Sequence, residues 1–319
     1  MMCEKPFMKN PVCKRKPVTY EERLACTPVP CGQCFPCRVN KSREMSVRIM
    51  LEAAASEASC FVTLTYNEDF LPKGDKKNGE RVGMCSLDKK ELQKFIKRLR
   101  KRVEPIKLRY FATGEYGDCG TRPHFHLMIF GIGRESENVI KKCWSFKEKI
   151  KKKNYYFPLG DVDVGDVTNY SARYITNYAM KNFKNMDDDF IKKNFPLLFG
   201  REPEFKVSSK LEGGIGIKGL ERVAESWNKN PHTRKEVINE FRLFGKMVPL
   251  GRYLRVKFAE MIGVTEDQFE QVLWDYQEDL FESFIMKGTI FYENIREWKA
   301  EERKAQRVRQ RIFKQKRRV

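Results

Sequence analysis

Two of the three histidines in this 319-residue chain stand one residue apart inside the apolar run Pro123-His124-Phe125-His126-Leu127-Met128-Ile129-Phe130. The run is short, rich in large side chains and closed by Gly131 and Gly133, which predicts a strand rather than a helix. Strand side chains alternate between faces, so both imidazoles share one face and Phe125 takes the other. A rigid strand that presents two imidazoles side by side can grip one metal ion. The alternative is a pair of hydrogen-bonded core histidines. Two on one face, out of three in the chain, favours the metal.

A third ligand is within reach. Lys107 to Glu115 forms a second predicted strand, with Phe111, Thr113 and Glu115 on one face. The segment from Tyr116 to Arg122 is turn-like, so the two strands can pair as a hairpin and bring Glu115 beside the histidines. Two nitrogens and a carboxylate oxygen suit Mg²⁺ or Mn²⁺ with open positions, and ligand type alone also admits Zn²⁺. Glu115 as an ordinary solvated hairpin glutamate is the competing reading.

Residues 166–183 predict a helix capped by Asp166. Tyr174 and Tyr178 lie four apart on one face, Lys181 follows on that face, and Tyr170 extends the stripe backwards. A tyrosine stripe is usually core packing, but a lysine on the same face argues against burial. A phenol is a poor nucleophile at neutral pH, and a neighbouring lysine with a metal-activated phosphate can make it competent.

His-hydrophobe-His on a strand followed by Tyr-x-x-x-Tyr-x-x-Lys on a helix resembles the pattern of HUH endonucleases. More narrowly, the chain resembles replication-initiation proteins of the microviruses, and of their gokushovirus branch. The resemblance includes Pro30 to Arg38, the strand Phe61 to Tyr66, Gly114 to Gly117, the histidine pair and the tyrosine–lysine set. It extends more loosely to Gly214 to Gly219 and Pro249 to Tyr253. It implies a metal-dependent endonuclease and strand transferase that nicks the origin for rolling-circle replication. Tyr174 or Tyr178 would form a 5′-phosphotyrosine link, Lys181 would assist, and the strand would later be rejoined. The implied metal is Mg²⁺ or Mn²⁺ on His124, His126 and Glu115. The implied partners are single-stranded phage origin DNA, a host helicase and a replication polymerase, in the cytoplasm of a bacterial host. A plasmid or transposon nickase would use the same chemistry. Relaxases commonly add a third histidine, and here the remaining one, His232, is far away in sequence. A non-catalytic single-strand-binding module is the alternative from another class; it needs neither the histidine pair nor a lysine beside paired tyrosines.

The expected fold is α+β: a ferredoxin-like, split β-α-β core with a central antiparallel sheet, which the resemblance also implies. A Cys-rich segment and helix occupy 1–58, the core 59–185, and a helical extension with a basic tail 186–319. In the core, a helix over Ser86–Val103 places Leu92, Phe95, Ile96, Leu99 and Val103 on one face. A second helix is expected over Ser136–Phe146 and a strand over Asp161–Val164. Cys31, Cys34 and Cys37, with Cys26 or Cys13 upstream, are candidate ligands of a structural Zn²⁺; free thiols are the alternative. Glycines 213–219 with Lys218 offer amides to a phosphate, or form only a turn. Thr265 and Gln268 suggest a helix capping box.

Charge agrees with a polyanionic partner. Lys and Arg number 63 against 43 Asp and Glu, giving a formal charge of +20, and nine of the 17 residues from Arg303 to Val319 are basic with none acidic. No apolar run is long enough for a membrane span, and the start lacks an apolar signal core, so neither membrane insertion nor secretion is expected. Ten cysteines without a signal suggest reduced thiols or metal ligands.

Overall fold

The computed structural model describes residues 7–9, 27–72, 76–77, 80–81, 85–116, 122–150, 153–178, 201–230, 237–238 and 240–265. Cys31–Thr265 fall in one compact unit. In a second unit, the described residues pair Phe7–Lys9 with Thr27–Val29.

The main unit is built on a five-stranded antiparallel sheet. In chain order its strands are β1 (Ser59–Thr65), β2 (Arg109–Glu115), β3 (His124–Phe130), β4 (Val162–Asp166) and β5 (Phe205–Ser208), and in space they run β4-β1-β3-β2-β5. The described helices are α1 (Phe35–Ala55), α2 (Lys89–Arg102), α3 (Glu137–Cys143), α4 (Asn169–Tyr178), α5 (Ile217–Asn228) and α6 (Arg252–Met261). Strands β1 to β4, with α2 after β1 and α3 after β3, have the expected split β-α-β order. The α+β expectation is borne out, and β5 adds a fifth strand beside β2.

Alternation along the strands divides the core in two. Val62, Leu64, Phe125, Leu127 and Ile129 meet Leu92, Phe95, Ile96 and Leu99 of α2 and Ile140 of α3. Each fully buried Leu or Phe here contributes about 1.5–3 kcal/mol. Asp88 caps α2, its Oδ1 accepting from the backbone N–H of Lys90 at 2.8 Å and Glu91 at 3.0 Å. On the opposite face, Phe111, Met128 and Phe130 pack on Ile49 and Met50 of α1 and Ala172 and Ile175 of α4. This second face carries the histidines. Glu52 of α1 fastens it with an ion pair to Arg109 of β2, 2.7 Å long and buried at both ends.

Four expectations change. The helix expected over Ser136–Phe146 ends at Cys143, and Ser145–Ile150 instead pairs with Lys153–Pro158 as a two-stranded ribbon. Asp166 does not cap α4: it is the last residue of β4, paired with Cys60. Thr168 and Ser171 close the start of α4 reciprocally, Thr168 Oγ1 accepting from the Ser171 N–H at 3.1 Å and Ser171 Oγ from the Thr168 N–H at 2.8 Å. The glycine-rich segment is packed rather than open. Gly216 has φ +91° against the backbone of Arg48, and a Cβ at Gly219 would collide with the Leu51 carbonyl, so these glycines let α5 approach α1. Lys218 lies within α5 and pairs with Glu212 at 3.2 Å. The residues after Thr265, with the suggested capping box and the basic tail, lie outside the described residues. No helix among the described residues is long and apolar enough to cross a membrane.

Candidate metal centre and nucleophile helix

Register sets the site. Glu115 of β2 stands opposite His124 of β3, and His126 lies between Thr113 of β2 and Thr63 of β1. Glu115 Oε1 lies 2.7 Å from His124 Nε2 and 2.9 Å from His126 Nε2. The Glu115 side chain is 1% exposed, that of His126 5% and that of His124 18%, so the cluster opens towards solvent on the His124 side.

The other ring nitrogens decide what these atoms can do. His124 Nδ1 lies 3.2 Å from the Arg122 carbonyl, which can only accept, so Nδ1 carries the proton and Nε2 a lone pair. His126 Nδ1 lies 3.0 Å from Thr63 Oγ1, a partner that can accept the same proton and leave Nε2 free. One carboxylate oxygen facing two such nitrogens needs either extra protons or a cation among the three. Glu115 Oε2 is buried and has no hydrogen-bond partner among the described residues. An orphaned carboxylate oxygen beside two imidazole lone pairs is a donor set that fits a divalent ion, and the three ligand atoms lie within 4.8 Å of one another.

Electrostatics follow the geometry. Burial pushes Glu115 up, but the bonds from His124 and His126 outweigh it and hold the carboxyl below its ordinary value. Burial works against a charge on His124, yet the bond to Glu115 wins and raises it. For the deeper His126, burial prevails and lowers it.

Helix α4 brings one tyrosine to this cluster. The Tyr174 ring lies edge-on to His126 at 5.2 Å between centroids and to Phe61 at 6.1 Å. Tyr170 stacks on Tyr174 at 6.5 Å and is 64% exposed. Tyr178 ends α4 one turn further on. Lys181 and His232 lie outside the described residues. Helix α1 holds α4 through hydroxyls: Ser46 Oγ and Thr176 Oγ1 are 2.7 Å apart, and Ser42 Oγ donates to Thr176 Oγ1 at 3.1 Å and to Asn177 Oδ1 at 3.2 Å.

At the start of α1, Cys31, Cys34 and Cys37 bring their sulfurs within 4.8 Å of one another. The backbone N–H groups of Gln33 and Cys34 point at Cys31 Sγ from 3.4 and 3.3 Å, which favours a thiolate there. Three converging sulfurs suit Zn²⁺. Cys26, the expected fourth ligand, lies outside the described residues.

Sequence reasoning passed over Thr63, because one strand threonine looks like any other until register puts it behind His126. It also passed over Lys206, which shares a row across the sheet with Asp163, Thr63, His126 and Thr113.

Residues 59–183 match the model of the replication-associated protein ORF2 family. Replication-associated protein VP4 of Bdellovibrio phage phiMH2K is 31% identical over 177 residues, 52% of this chain and 52% of that protein. Replication-associated protein ORF4 of Chlamydia phage 1 is 29% identical over 165 residues, 49% of this chain and 39% of that protein. Replication-associated protein ORF2 of Spiroplasma virus 4 is 31% identical over 159 residues, 48% of each. The chain thus spans about half the length of the curated relatives it matches, or less. No solved structure matches. The strands that carry Glu115, His124 and His126, and helix α4 with Tyr174, all fall in the matched region, and residues 59–183 belong to the replication-associated protein ORF2 family.

Proposed function

We propose that the chain is a metal-dependent single-strand DNA endonuclease and strand transferase that initiates replication of a single-stranded DNA phage. The observation that carries this reading is the Tyr174 ring 5.2 Å from His126, itself one of three converging ligand groups. Mg²⁺ or Mn²⁺ held by Glu115, His124 and His126 would polarise the scissile phosphate and offset charge in the transition state.

The residues divide the remaining work. Arg122 and Thr63 fix the imidazole tautomers. Helix α1 sets the depth of α4 through Ser42 and Ser46. The Tyr174 phenol loses its proton and its oxygen bonds to phosphorus, while the bond from phosphorus to the 3′-oxygen breaks. The products are a 5′-phosphotyrosine and a 3′-hydroxyl on which a polymerase can build. The reverse attack rejoins the strand, since the phosphodiester energy is kept in the link. The resemblance gives Tyr178 the role of second nucleophile and Lys181 that of positioning phosphate or favouring phenolate. The host cytoplasm, a host helicase and a replication polymerase complete this reading.

The test is a covalent adduct. Circular single-stranded phage DNA incubated with the protein and Mn²⁺ should give a protein–DNA band on a denaturing gel. Tyr174→Phe with Tyr178→Phe should abolish that band and leave DNA binding intact. An adduct formed by the double variant would place the nucleophile elsewhere, with Tyr170 next in line.

A further inference from the structure

The ribbon Ser145–Ile150 and Lys153–Pro158 plays no part in this chemistry. Phe146 stands opposite Phe157 and Glu148 opposite Tyr155. Alternation puts Phe146, Tyr155 and Phe157 on one face and Lys147 and Tyr156 on the other. All four rings are out in solvent: Phe146 is 45% exposed, Tyr155 45%, Tyr156 58% and Phe157 38%. Four rings left in water on one short ribbon mark a contact surface rather than a failure of packing.

The chemistry of that surface narrows the partner. Residues 145–158 contain five lysines against one glutamate. Rings interleaved with cations on an extended ribbon suit an unpaired nucleic-acid strand, whose bases stack while its phosphates meet ammonium groups. Each six-residue strand extends ~20 Å, long enough for several unstacked nucleotides to follow.

The root of the ribbon lies at the candidate metal centre. Trp144 Nε1 donates to the Thr65 carbonyl at 2.7 Å, and the N–H of Leu159 donates to the Trp144 carbonyl at 3.1 Å. The Asn67 N–H donates to the Leu159 carbonyl at 2.8 Å, and Gly160 runs so close to Thr65 that no Cβ would fit. Thr65 is the sheet partner of His124. The ribbon therefore springs from the strand next to the histidines, at their end of the sheet.

We propose that this ribbon is a stacking platform that holds single-stranded DNA beside the Glu115–His124–His126 cluster. The choice of DNA rests on the function proposed above; the platform itself rests on rings, charge and position.

The test is binding by the full chain without added divalent ion, which keeps it separate from cleavage. Fluorescence anisotropy compares a labelled oligothymidylate with an abasic strand of equal length. The parent should prefer the oligothymidylate. Tyr155→Ala with Phe157→Ala should weaken that complex about tenfold or more and leave abasic binding unchanged, because stacking is lost and charge is not. Tyr156→Ala tests the other face, and Tyr155→Phe with Phe157→Tyr, which keeps both rings, should bind like the parent. Lys147→Ala should weaken both strands and flatten the salt dependence. Equal binding of both strands by the parent would overturn the platform. So would oligothymidylate affinity that survives the alanine pair in the folded protein, which would leave the rings for a protein partner. Ring-dependent binding without any adduct under Mn²⁺ would instead sink the nickase reading alone.

Discussion

Replacing Thr63 by valine isolates one hydrogen bond behind the candidate metal centre. Valine keeps the volume, the branching and the strand preference of threonine, so β1 should fold as before. What goes is the oxygen 3.0 Å from His126 Nδ1. Without metal the ring can place its proton on Nε2, towards Glu115, and lose little. With metal on Nε2 the proton must sit on Nδ1, where the parent has Thr63 and the variant has a methyl group. His126 is 4% exposed, so water does not readily replace the lost partner. A buried, unsatisfied N–H costs about 1–3 kcal/mol, and here the cost falls on the metal-bound state. The expected result is Mn²⁺ binding weakened roughly tenfold, within the ~10–100-fold range for residues that orient metal ligands. Calorimetric titration of Mn²⁺ into parent, Thr63→Val and Thr63→Ser reads this directly. Serine keeps the hydroxyl and should restore most of the affinity. Unchanged Mn²⁺ affinity in a folded valine variant, or a loss that serine does not repair, would refute the reasoning.

Three further outcomes follow from packing, charge and thiol chemistry. Gly219→Ala should destabilise the fold by about 1–3 kcal/mol through overpacking of α5 on α1, read as a lowered denaturant midpoint; an unchanged midpoint would show that the helices part freely. Lys206→Ala should weaken single-strand binding and reduce its salt dependence, since Lys206 shares the sheet row of His126 and no acidic group pairs with it among the described residues; an unaltered salt slope would remove it from the DNA path. In native protein, Cys31, Cys34 and Cys37 should resist iodoacetamide until a chelator is added, whereas Cys60, fully buried and pushed up to about 12, should stay unmodified until the protein unfolds; alkylation of the three before chelation, mapped by mass spectrometry, would point to free thiols.

The parts legible in the sequence were those with a strong local period. His124 and His126 announce their shared face by spacing, and Phe111, Thr113 and Glu115 do the same on the neighbouring strand. The apolar stripe of α2 runs from Leu92 to Leu99 as its period requires. What stayed hidden depends on partners distant in sequence. Thr63 acquires meaning only through pairing, and β5 is four residues long, too short for alternation to stand out. The ribbon Ser145–Pro158 looked like the end of a helix because its turn lacks glycine and its strands lack buried positions. Gly216 and Gly219 read as a loop in sequence and prove to be the contact that seats α5 on α1.

The ligand set rests on parity. Every contributing residue sits at an even offset from its companions along two paired strands, so a slip of one position would turn both imidazoles into the opposite core and carry Phe125 out in their place. No half-formed version of the cluster exists between those two states. Insertions between Glu115 and His124 leave the pairing untouched, while one extra residue inside either strand erases the site. Drift in this lineage should therefore gather in the connection from 117 to 121 and spare the strands. For the same reason, acquiring metal during folding would report that β2 and β3 have found each other in the right register.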